Sequence, residues 1–111
     1  MTINEYQIAA LRTENSELTQ AEILMNGLMG LNGEVGECID ILKKHLFQGD
    51  QLDCEHLAKE LGDVAWYLAV SAKAIGYDLE RIMQMNVEKL SQRYPNGFHT
   101  KDSLHRQVND I

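Results

Sequence analysis

The sequence contains a single proline, Pro95, so more than ninety residues before it run without the one side chain that both fixes φ and removes a backbone donor. Cysteine is almost as scarce. Cys38 and Cys54 form no CxxC pair and have no histidine at zinc-finger spacing, which excludes a disulfide framework and a structural zinc site and leaves two reduced thiols. No apolar run is long enough to span a bilayer. The first dozen residues, with Asn4, Glu5 and Gln7 among them, lack the basic, apolar and small-residue order of a secretory signal, so a cytoplasmic location is expected. Cations are few: 10 Lys and Arg stand against 17 Asp and Glu, for a net charge of -7. Duplex nucleic acid, which needs a basic footprint, is not an expected partner, and neither is a membrane. The four histidines fall in no ligand pattern, and alternation of period two never lasts more than a few residues.

What is present reads as helix. At 111 residues with 44% hydrophobic side chains the chain makes one domain, short enough that a two-layer helical unit leaves apolar surface to be covered by another copy. A short first helix is expected over about Asn4–Arg12, followed by a polar loop through Thr19. Thr19-Gln20-Ala21-Glu22 matches a capping box and opens a long second helix that runs to about Phe47 and stops at Gly49-Asp50. Asp53 caps a third helix, in which Leu57, Leu61, Val64, Leu68, Ala72 and Ile75 keep helical spacing until Gly76 provides a left-handed stop. Asp78 caps a fourth segment reaching about Arg93, and Tyr94-Pro95-Asn96-Gly97 is the turn that ends it. Residues 99–111 read as a polar, mobile tail. The fold class is all-α, a bundle of about four helices.

The second helix spaces Gly27, Gly30, Gly33 and Gly36 three apart, although each costs about 1 kcal/mol relative to alanine in a helix interior. Close packing against another helix accounts for them, and so does room for a ligand; the two are compatible. Its main apolar stripe is Leu24, Leu28, Leu31, Val35, Leu42 and Leu46, while Glu34, Glu37, Ile41 and Lys44 form a different side.

Glu34 and Glu37 on the second helix and Glu60 and Asp63 on the third are two carboxylate pairs at i, i+3, each projecting from one side of its helix. If the two long helices pack antiparallel, the pairs meet near mid-helix. Four converging carboxylates repel unless some are protonated or a cation joins them, and an all-oxygen set suits Mg²⁺ or Mn²⁺. Spacing by itself leaves a solvated acidic face as the alternative.

The segments Gly33-Glu34-Val35-Gly36-Glu37 and Lys59-Glu60-Leu61-Gly62-Asp63-Val64-Ala65-Trp66-Tyr67 are followed by Met85-Asn86-Val87-Glu88-Lys89-Leu90 and Arg93-Tyr94-Pro95-Asn96-Gly97-Phe98. In that order they resemble the MazG-like members of the all-α nucleoside triphosphate pyrophosphohydrolases, over about Asn4 to Phe98. The resemblance implies a domain over residues 1–98 and a Mg²⁺ site at Glu34, Glu37, Glu60 and Asp63, with Mn²⁺ as a possible substitute. It also implies a triphosphate substrate, split to monophosphate and pyrophosphate in nucleotide-pool house-cleaning. A carboxylate of the Glu34/Glu37 pair would take the proton of the attacking water, and Lys89 would offset charge on the leaving group. Tyr67, Asn86, Lys89 and Arg93 fall on or near positions facing the phosphates or their surroundings. Asn26 and Lys44, flanking the acids at helical spacing, are candidates for the nucleoside end, and Trp66 reads as core. The expected assembly is a homodimer or a dimer of dimers held through the second and third helices. Three rivals remain at this stage. A di-iron carboxylate bundle wants Glu-x-x-His pairs, and Asp40 and Asp63 stand where those histidines would be. The others are a non-enzymatic helical dimer or adaptor with a surface acidic cluster, and a relative of phosphoribosyl-ATP pyrophosphohydrolase.

Overall fold

The computed structural model describes residues 1–111 as five helices and no strand: α1 (Ile3–Leu11), α2 (Gln20–Gln48), α3 (Cys54–Ala74), α4 (Leu79–Arg93) and α5 (Thr100–Leu104). None of these helices is long and apolar enough to cross a membrane. The chain forms two compact units, Met1–Leu79 and Glu80–Ile111.

Local chemistry sets most boundaries. The Thr19 hydroxyl accepts the Glu22 N–H at 3.2 Å while the Glu22 carboxylate accepts the Thr19 N–H at 3.0 Å, completing the capping box of α2. Thr2 and Glu5 build the same device at the start of α1. α2 ends where Gly49 adopts φ +77°, in the left-handed region that favours glycine. Asp53 caps α3 by accepting the His56 N–H at 3.0 Å, and Gly76 stops the chain after it at φ +82°.

In the first unit, α2 and α3 run antiparallel and touch through glycine. A β-carbon added at Gly27 would lie 2.4 Å from Ser71 Oγ, and one added at Gly30 would lie 2.1 Å from the Tyr67 ring. The face of α2 turned to α3 is thus the glycine side, as close packing of the glycines implied, and not the main apolar stripe. Leu28, Val35 and Leu42 stay 53%, 43% and 43% exposed. The reason is geometric: bare glycine backbone admits the Tyr67 ring, so the helices close along the side with least bulk. Of the α3 stripe, Ala72 is buried while Leu61, Leu68 and Ile75 stay exposed, and Ala69 and Val70 beside it are buried instead.

α1 lies on the far side of α3, where Ala10, Ala69 and Leu79 form a small core flanked by Ile3, Tyr6 and Trp66. The Trp66 indole N–H donates to the Ala10 carbonyl at 2.8 Å, so this tryptophan is anchored in the packing, as its neighbours suggested. Buried Gln7 donates to the Ala69 carbonyl at 3.1 Å and accepts the Leu79 N–H at 2.9 Å, tying α1 to α3 and to the first turn of α4. In the second unit, Gly97 at φ +81° makes the expected turn after α4. The segment beyond it is not featureless, since it contains α5 and returns Asp110 to Arg93.

Gly30→Ala should destabilise the protein by about 1–3 kcal/mol, the cost of overpacking against an aromatic ring. Gly36→Ala, with nothing within 4 Å of the added carbon, should instead stabilise by up to about 1 kcal/mol through helix propensity. Urea melts of the two variants check both signs.

Candidate metal centre

The glycine contacts fix a register. Gly27 meets Ser71 and Gly30 meets Tyr67, so about one turn forward along α2, three residues, is matched by about one turn back along α3, four residues. One further turn sets Glu34 against Asp63, and the next brings the Glu37 level to Glu60. In this structure one carboxylate oxygen each from Glu34, Glu60 and Asp63 lie within 4.8 Å of one another. Glu34 and Glu60 are half-buried at the seam and Asp63 is exposed at its rim.

Glu37 is exposed and its carboxylate is not one of these three, although its charge still reaches Glu34. The Glu34 carboxyl is held above the usual carboxylate range. The causes, in order, are a hydrogen bond with Glu60, partial burial, and repulsion from Asp63, Glu60 and Glu37. Three acids sharing one place, with one reluctant to ionise, is the electrostatic condition that a divalent cation relieves. The donor set is all oxygen, which fits Mg²⁺ or Mn²⁺ and not a thiolate-preferring metal.

Two neighbours lie outside the sequence reading. His56, one turn before Glu60, places Nε2 at 3.2 Å from Glu60 Oε1. The i, i+4 spacing of the two was the available signal. Tyr6 on α1 lies near enough to Asp63 that, after burial, the carboxylate's charge raises the phenol pKa and keeps it protonated. No local pattern links those two positions.

The other candidate residues are dispersed. Tyr67 is half-buried, with its ring over Gly30 and edge-on to Trp66 at a centroid distance of 5.0 Å. Asn26 and Lys44 are exposed on α2. Asn86, Lys89 and Arg93 belong to the second unit, where Lys89 donates to the main-chain oxygen of Ile111 and Arg93 pairs with Asp110. Cys38 and Cys54 are free thiols.

The sequence model of the MazG nucleotide pyrophosphohydrolase domain matches residues 23–98, a span that includes both acid pairs and the downstream segments. The chain belongs to the MazG family. It is also similar to the Gene 37 protein of Mycobacterium phage L5, 36% identical over 105 residues that cover 87% of this chain and 92% of that protein. No solved structure matches it. MazG enzymes are in general dependent on divalent metal, and the acid cluster of α2 and α3 is where this chain has the donors for one.

Because folding raises the Glu34 pKa, the folded state holds that proton more tightly than the unfolded chain. The associated stability is present below the ordinary carboxylate pKa of about 4.3 and is lost as pH rises through the raised value. Glu5 and Glu22, lowered by their capping hydrogen bonds, act in the opposite sense and lose their contribution on acidification. Metal-free Glu34→Gln should therefore melt above metal-free wild type, by a margin that grows as pH rises above the ordinary carboxylate range. Mg²⁺ should raise the wild-type melting temperature and raise that of the variant less.

Proposed function

We propose that this MazG-family chain hydrolyses a nucleoside or deoxynucleoside triphosphate to the monophosphate and pyrophosphate, with Mg²⁺, or Mn²⁺ in its place, held by Glu34, Glu37, Glu60 and Asp63. The convergence of Glu34, Glu60 and Asp63 within 4.8 Å carries this reading. A bound divalent cation supplies neutralisation of phosphate oxygens and a lowered pKa for a coordinated water. The chain's own residues supply position and proton traffic. Glu37, the acid outside the close trio, is the better candidate to take the proton of the attacking water, and Glu34 is the alternative base within the same pair. We assign Lys89 and Arg93 to the phosphates, where Lys89 offsets charge as pyrophosphate departs and the planar fork of Arg93 matches two phosphate oxygens. Asn86 and Tyr67 are assigned to the surroundings of the phosphates, and Asn26 and Lys44 to the nucleoside end.

The same reading includes a second copy of the chain. Met25, Leu28, Met29, Val35, Ile39, Leu42 and Leu46 are all exposed along α2, while α1 packs on α3 and leaves them uncovered. A continuous apolar strip of this kind is uncommon on a stable monomer, and a twofold contact is the commonest way to bury one. We propose a homodimer, or a dimer of dimers, joined through this face.

Glu60→Gln and Asp63→Asn should each lower kcat by roughly 10²–10³-fold, the scale for losing one electrostatic stabiliser of the transition state, with helical circular dichroism unchanged. Wild-type turnover in either purified variant removes the metal assignment. Light scattering on a size-exclusion column should give at least twice the chain mass. A fully active monomer at micromolar concentration contradicts the second-copy reading.

A further inference from the structure

The charges divide unevenly along the chain. Met1–Leu79 carries five Lys and Arg against thirteen Asp and Glu, whereas Glu80–Ile111 carries five against four. In the second unit the cations have found an internal partner. Arg93 Nε donates to one Asp110 oxygen at 2.8 Å and Arg93 NH2 to the other at 2.7 Å, a two-pronged pair. Its side chains are only 10% and 11% exposed. Lys89, one turn earlier on α4, donates to the main-chain oxygen of Ile111. Arg106 adds a further positive charge near Asp110. The returning segment also walls a cavity of about 550 Å³, in which Asn109, Asp110 and Ile111 face Arg81, Asn86 and Lys89 of α4.

We propose that the Gln107–Ile111 segment is a built-in competitor for phosphate: Asp110 occupies the Arg93 fork and the Ile111 main-chain oxygen occupies Lys89, and both contacts must open before a triphosphate can use both cations. The inference rests on the assignment of Lys89 and Arg93 to substrate phosphates made above. The chemistry makes the exchange feasible in both directions. A guanidinium fork accepts a carboxylate and a phosphate with the same two-point geometry, so Asp110 imitates a pair of phosphate oxygens. The Lys89 contact is to a single main-chain oxygen of Ile111, which a phosphate oxygen can replace as a charge-assisted acceptor. If the segment is docked in about nine molecules out of ten, the apparent affinity for phosphate is about tenfold weaker than the intrinsic one. Such a gate favours highly charged polyphosphates, which replace both contacts at once, over monophosphates, which replace one.

The test is calorimetric titration of inorganic tripolyphosphate, with Mg²⁺ present, into the full chain, into Asp110→Asn, and into a chain shortened after Arg106. Both altered chains should bind about tenfold more tightly than wild type. Hydrogen exchange of residues 107–111 in the unaltered chain should accelerate when tripolyphosphate is added, a readout that needs no variant to fold. Affinity within about twofold of wild type in the altered chains, with no change in exchange, overturns the competitor. The double change Lys89→Ala and Arg93→Ala separates the two levels. If it loses tripolyphosphate binding while the tail changes do nothing, the phosphate assignment stands and the competitor falls. If it binds as wild type does, the assignment falls and the competitor with it.

Discussion

The Gly30–Tyr67 contact sets the distance between α2 and α3, and with it the meeting of their acids. A tyrosine ring cannot lie against a helix that carries a β-carbon at that point, since the added atom would be 2.1 Å from it. Glycine at this position weakens α2 as an isolated helix. What offsets that weakness is the seam itself, in which Gly27 receives Ser71, Gly30 receives Tyr67, and Glu34 arrives beside Asp63 and Glu60. The glycines further along, Gly33 and Gly36, face open space, so the four evenly spaced glycines divide into two that pack and two that leave α2 bare beside Glu34 and Glu37.

The seam gathers like charges, which a structure built for stability alone would keep apart. The Glu34 carboxyl responds with a pKa raised above the usual carboxylate range. The first unit carries this strain because its other bonds do not depend on those carboxylates: Gln7 and Trp66 tie α1 to α3 through backbone carbonyls, and capping boxes close the starts of α1 and α2. A like-charged cluster that costs folding energy on a scaffold that tolerates it is the division expected of the proposed site. The apolar face of α2 is a second demand of the same kind, made on a partner and not on a cation.

Legibility from sequence followed the range of the interaction. Caps and stops at Thr19, Glu22, Asp53, Gly49 and Gly76 were readable because each is settled within a few residues. The acid pairs were readable because i, i+3 spacing puts both members on one side whatever the tertiary fold. The glycine spacing pointed to close helix packing, which Gly27 and Gly30 make, but hydropathy could not say whether that side or the one with Leu28, Val35 and Leu42 meets α3, because close approach rewards the absence of a side chain. The bounds of α4, expected from Asp78 to about Arg93, fall at Leu79 and Arg93, but the Gln7 bond to the Leu79 N–H spans 72 residues and the Arg93–Asp110 pair 17, with no periodic signal for either. Glu37, equal to Glu34 by spacing, was separated from it only by where its carboxylate came to rest.

The acids of α2 and α3 are proposed to direct water to the α-phosphorus of a triphosphate. Hydrolysis in ¹⁸O-enriched water, with Mg²⁺ present and the products separated for mass spectrometry, tests it directly. One ¹⁸O is expected in the monophosphate and none in the pyrophosphate. Label in the pyrophosphate, or release of labelled orthophosphate with a nucleoside diphosphate, would contradict it.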